Sequence, residues 1–152
     1  IMNFVPHDTN KPGKISEIIF LLSIVKSKFP LFISTDIESY SLKISTSANI
    51  IRCYDNDRLI AFIAYYCNNP LKDIAYITMV VVHPDFSKYG VGGKLLQLAI
   101  EDARKIGFQR MQLKVHPKNL SAIRLYSRFG FANLSSDDDM NCMEISLRDL
   151  AP

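Results

Sequence analysis

Residues 74–82, Ile-Ala-Tyr-Ile-Thr-Met-Val-Val-Val, are apolar on both alternating sets, with Thr78 the one break, and the chain then reaches Gly90-Val91-Gly92-Gly93. A strand apolar on both faces belongs at the buried centre of a sheet. Val91, Leu95, Ala99, Ala103 and Ile106 follow at helical spacing, and Gly107 sits where a helix C-cap is expected. The unit is therefore strand, glycine turn, helix. A helix N-terminus leaves backbone N–H groups unpaired, and its dipole favours an anion. Glycine lets a ligand approach the backbone closely, so Gly90, Gly92 and Gly93 read as a cradle for a pyrophosphate. The competing reading is that such glycines serve packing alone. A Walker A loop requires glycine at Lys88 and Ser or Thr at Leu95, and a dinucleotide fingerprint requires glycine at Leu95; neither fits.

The rest of the chain dictates what surrounds this unit. Its 152 residues suit one domain, taken as 1–152. Ile15, Ile18, Ile19, Leu22, Val25 and Phe29 place an amphipathic helix over 14–28, stopped by Pro30, and 36–43 reads as a second helix capped by Thr35 or Ser34. Strands are expected at 50–54 and 59–66, hinged at Asp55-Asn56-Asp57, and again at 111–115. A helix over 119–129 ends at Gly130, and final strands fall at Phe131 and 142–147 around the acidic loop 137–139. Helices, an antiparallel meander and then strand–helix–strand–helix–strand give an α+β fold with a mixed sheet.

Two constellations add specificity. Val82-His83-Pro84-Asp85-Phe86 followed by Gly90-Val91-Gly92 is similar to the V-x-P…(Q/R)-x-x-G-x-G/A motif of the GNAT superfamily of N-acetyltransferases, and Asn119 to Phe131 resembles its N-x-x-A-x-x-L-Y-x-x-x-G-F motif. The resemblance covers residues 74–131 and implies a GNAT-like sheet, mostly antiparallel and twisted, between helical layers (α/β/α). It implies acetyl-CoA as acyl donor and direct transfer to a primary amine in a ternary complex. By position, Ser87, Lys88, Tyr89, Gly90, Val91, Gly92 and Gly93 would hold the pyrophosphate, and Val80, Val81 and Val82 would offer backbone groups to the pantetheine arm and thioester. Ser87 stands where the family usually has Gln or Arg. Asn119, a helix N-cap on its own chemistry, would also touch the pantetheine, and Tyr126 would protonate the departing thiolate. The base is open between His116, which also reads as a solvent-exposed loop residue, and water relayed through Thr78 or a tyrosine hydroxyl. His83, ahead of a proline, reads as structural.

Charge and cysteine usage narrow the remaining classes. Residues 84–131 hold nine basic and three acidic side chains, net +6, against −3 elsewhere. That field suits a phosphate-bearing ligand. Nucleic acid fits less well, because the basic residues follow the expected donor site and are not interleaved with aromatics on a strand face. Cys53, Cys67 and Cys142 are scattered, which gives neither a disulfide framework nor a metal site and points to a reducing cytoplasm. The apolar stretch 18–25 is too short for a membrane span, and no signal peptide frames it. Ile1 ahead of Met2 reads as an addition, with Met2 the expected natural start. Phe29, Leu31, Phe32, Tyr65, Tyr66 and Tyr76 suggest an aromatic acceptor pocket for a small-molecule amine such as an amino sugar or amino acid. The alternatives are a protein N-terminus as acceptor, or a non-catalytic acyl-CoA-binding regulatory module. Family members often dimerise through their C-terminal strands, which leaves a homodimer open.

Overall fold

Asn56 takes a left-handed backbone, φ +55°, and folds β2 (Asn49–Asp55) back onto β3 (Arg58–Tyr66) at the polar turn the sequence marks. β4 (Ile74–Val82) continues the meander antiparallel to β3. This is a computed structural model that describes residues 1–137 and 139–148, and the middle of the acidic loop, Asp138, falls outside them. Outside β2 lies a strand that the sequence pattern did not announce, β1 (Met2–Val5), which pairs Phe4 with Cys53. Four edge residues with little alternation give no readable period.

Between β1 and β2 the chain forms α1 (Ile15–Lys28) and α2 (Ile37–Ser47). α2 is capped by Asp36, whose Oδ2 accepts the Ser39 N–H at 3.0 Å, and not by Thr35 or Ser34; it also runs four residues past the expected end. After β4, α3 (Val91–Ile106) crosses to β5 (Arg110–Val115), which lies parallel to β4. α4 (Leu120–Arg128) leads into the hairpin of β6 (Ala132–Asp137) and β7 (Met140–Ser146). β7 inserts between β5 and β6, so the sheet order is β1-β2-β3-β4-β5-β7-β6, antiparallel throughout except at β4–β5.

Two cores result, one on each face. α1 and α2 pack Ile18, Leu22 and Ile44 against Phe62 and Val81. α3 and α4 pack Leu95, Ala99 and Tyr126 against Ile63, Ile77 and Leu113. Tyr65, fully buried, ties β3 to α3 by donating to Asp102 Oδ2 at 2.7 Å, so it belongs to the core and not to an acceptor pocket. No described helix is long and apolar enough to cross a membrane.

This burial has a consequence at high pH. Desolvation pushes Cys53 up to about 11 and Cys67 and Tyr40 up to about 12, and holds Tyr65 and Tyr126 higher still. The folded state keeps protons that the unfolded chain releases near pH 9–10, so these groups stabilise fully below that range and stop doing so as pH rises through the folded values. The unfolding free energy is expected to fall from about pH 9 upward, by roughly 1.4 kcal/mol per pH unit for each group that titrates, and the thermal midpoint with it. Scanning calorimetry across pH 7–11 checks it, and a flat curve to pH 11 would contradict the burial.

Candidate active site

β4 is the sheet's centre, yet it is not uniformly buried: Ala75, Ile77 and Val81 are, whereas Val80 and Val82 are half-exposed. The register explains this. β5 pairs with β4 only from Ile74↔Arg110 to Ile77↔Leu113, so beyond Ile77 the β5 side of β4 has no strand. On the other side the ladder passes from Tyr65↔Ile77 to Ala64↔Met79 and skips Thr78, which is a β-bulge. The His83 N–H donates to the Ile60 carbonyl at 2.7 Å. Antiparallel pairs alternate between bonded and non-bonded, so Val81 bonds toward β3 while Val80 and Val82 turn their N–H and C=O groups to the open side.

The opening is a cleft of about 680 Å³ that runs from this strand edge to the start of α3. There Gly90 has φ +71°, a left-handed conformation that favours glycine, and a Cβ on it would meet no protein atom within 4 Å. A Cβ on Gly92 would lie 3.4 Å from Leu125 Cδ2 and 3.6 Å from Val82 Cγ2, so that glycine also serves the packing of α3 on α4. The first α3 bond runs from Lys94 N–H to Gly90 C=O at 3.1 Å, which leaves the N–H groups of Val91, Gly92 and Gly93 without intrahelical partners. Lys118, Arg124 and Arg128 line the same cleft, and no acidic residue does among the described residues. Free N–H donors at a helix start, glycines and three cations are the donor set a pyrophosphate requires.

α4 closes the cleft. Asn119 caps it, with Oδ1 accepting the Ala122 N–H at 3.3 Å, and Tyr126 lies two turns further on the same face. The Tyr126 ring packs against Phe131 at 5.9 Å, and the side chain is 7% exposed. Burial pushes its phenol well above the usual value near 10, so it remains a proton donor throughout the neutral range. Val25, Phe29, Phe32, Ile33 and Met79 form an apolar wall at the opposite end.

Of the residues singled out from sequence, Val80, Val81, Val82, Ser87, Gly90, Val91, Gly92, Gly93, Asn119 and Tyr126 all border this cleft. Lys88 and Tyr89 do not; they lie exposed on the outside of the turn, where the Tyr89 ring rests 6.1 Å from that of Phe86. His116 is also outside the lining: its ring sits 5.7 Å from that of Phe32, and its Nδ1 accepts the Lys118 N–H at 3.1 Å. His83 accepts the Asp85 N–H at 3.1 Å and caps a single-turn helix, the structural role expected of it. Of the six expected acceptor-pocket residues, Phe29 and Phe32 reach the cleft, whereas Leu31, Tyr65, Tyr66 and Tyr76 do not.

The sequence profile of the Acetyltransferase (GNAT) family matches residues 20–131, which includes the splayed strand, the glycine turn and α4. The chain belongs to the GNAT family. Among its GNAT relatives, an uncharacterized N-acetyltransferase of Methanocaldococcus jannaschii is 36% identical over 83 residues, 52% of this chain and 37% of that protein. The [ribosomal protein bS18]-alanine N-acetyltransferase of Escherichia coli is 32% identical over 68 residues, 45% of this chain and 46% of that one. The aligned stretches thus span less than half of either relative. In fold, the PaiA N-acetyltransferase of Thermoplasma acidophilum, solved with coenzyme A, superposes with a TM-score of 0.73 at 17% identity, over 96% of this chain and 99% of that one.

Proposed function

We propose that the protein transfers an acetyl group from acetyl-CoA to a primary amine by direct attack in a ternary complex, with a small-molecule amine of the amino acid or amino sugar type as acceptor. The observation that carries this reading is the unpaired edge of β4, which faces Tyr126 across a cleft ending at the free N–H groups of α3. Gly90 to Gly93, with Lys118, Arg124 and Arg128 nearby, would take the phosphates. Val80 and Val82 would hydrogen-bond the pantetheine arm and the thioester carbonyl, and Asn119 retains its Nδ2 donors for the same arm. Tyr126 would give its proton to the thiolate as the C–S bond breaks.

What borders the cleft supports this acceptor class. No carboxylate stands among the described lining residues to take a proton from the amine, and His116 lies outside the lining, against the ring of Phe32. An amine of low basicity suits such a site: an α-amine next to an amide carbonyl, as in an amino acid amide or a peptide N-terminus, titrates near 8, against about 10.4 for a lysine-type alkylamine. A protein N-terminus is the second reading, since it too is an α-amine and the Escherichia coli relative acts on an alanine in its name. Free-thiol release from acetyl-CoA should be measured with amino acid amides, amino sugars, short peptides with free N-termini, and diamines. Turnover is expected with α-amines and sugars at least about tenfold above diamines. Preference for diamines overturns the acceptor class, and tight acetyl-CoA binding without release for any amine would establish a regulatory binding module instead.

A further inference from the structure

At Thr78 β4 is held loosely on both sides: β3 skips this residue, and the β4–β5 pairing has ended one residue earlier. Such a bulge has few ladder bonds to fix it, yet it sets the direction of the strand that follows. Among the described residues, one side chain hydrogen-bonds Thr78. Tyr40, half-buried on α2, places its hydroxyl 3.0 Å from Thr78 Oγ1. Ile44, on the same helix, is fully buried against the sheet, so α2 is a rigid mount for that hydroxyl. Met79 and Val80, the next two residues, border the cleft, and Val80 is the first residue after the bulge whose N–H turns toward it.

We propose that the Tyr40–Thr78 hydrogen bond latches the β4 bulge and thereby aims the Val80 N–H at the reacting carbonyl, which makes Tyr40 a positioning residue for acetyl transfer. The inference rests on the N-acetyltransferase reading of the cleft. A donor helps in the transition state only when it is already aimed at the developing oxyanion, so loosening the latch costs turnover more than binding.

The test compares Tyr40→Phe, Thr78→Val, their double variant and Thr78→Ser in the full chain, each with acetyl-CoA and the best acceptor amine. Each of the first two is expected to lower kcat about tenfold while the KM for acetyl-CoA stays within about twofold. The double variant should be no worse than either single, and Thr78→Ser should restore turnover, because it keeps the hydroxyl. Amide hydrogen exchange over residues 78–82 reads the latch independently of turnover, and is expected to be faster in Tyr40→Phe than in the parent. Unchanged kcat in Tyr40→Phe, a multiplicative loss of about a hundredfold in the double variant, or unchanged exchange at Met79 and Val81, whose N–H groups bond β3, would overturn the latch. A parent chain that releases no thiol with any amine fails the underlying reading, and the exchange rates still decide the latch.

Discussion

Replacing Tyr126 by Phe is expected to lower kcat by about 10²- to 10⁴-fold, the usual worth of a general acid, while the KM for acetyl-CoA changes by less than about threefold. The ring stays, so its packing on Phe131 and the shape of the cleft stay with it. What is lost, on the function proposed above, is the proton for the thiolate. Burial holds the Tyr126 pKa above the ordinary phenol value near 10, so the group stays protonated across the neutral and mildly alkaline range. Two results follow. Any alkaline fall in the parent's kcat below pH 10 belongs to another group and will persist in Tyr126→Phe. The variant is also expected to stay within about 0.5 kcal/mol of the parent in stability, because the hydroxyl borders the cleft and bonds no described residue. Steady-state thiol release from pH 6 to 10, with melting curves, tests both. Full turnover across that range would remove Tyr126 from the chemistry and leave it a core residue.

How far the site was legible depends on what each residue does to the chain's pattern. The glycine turn was legible because glycines interrupt an apolar run, but the sequence could not separate their reasons. Gly90 has a positive φ and Gly92 sits against Leu125 and Val82, so two different structural settings for glycine share one turn. Asn119 and Tyr126 were legible through their spacing, which two turns of α4 convert into one face on the cleft. The bulge was not. In a strand apolar on both faces, a one-residue slip leaves the hydrophobic pattern unbroken, and Thr78 looks like any other β-branched strand residue. The end of the β4–β5 ladder was hidden for the same reason, since nothing in Met79 to Val82 says that their outer side lacks a neighbour. Lys88 and Tyr89 entered through their position in the family motif, which does not fix side-chain direction, and both are exposed and outside the cleft lining. Among aromatic residues, burial and not type decided: Tyr65 went to the core with Asp102 as partner, while Phe29 and Phe32 reached the cleft.

Proline substitutions along β4 convert this geometry into a result that separates backbone chemistry from stability. Proline removes an N–H and is tolerated in a sheet only where that N–H does not serve the ladder. Val80 and Val82 turn theirs to the open side, whereas Val81 turns its own toward β3. Val81→Pro is therefore expected to abolish soluble folded protein, and Val80→Pro and Val82→Pro to fold with a lowered midpoint. Their kinetics should differ. With the phosphates at the Gly90 end, Val82 is nearer to them along the strand and Val80 nearer to the bulge and the acyl end. Val80→Pro should lower kcat by about 10²- to 10³-fold, the cost of losing one oxyanion donor, with a small change in KM. Val82→Pro should chiefly raise the KM for acetyl-CoA, by about tenfold, because a donor to the pantetheine arm contributes equally to the ground and transition states. Circular dichroism melts establish that both variants are folded before kcat and KM are compared. If Val80→Pro turns over at the parent's rate, the oxyanion is held elsewhere, and the open edge of β4 serves binding alone.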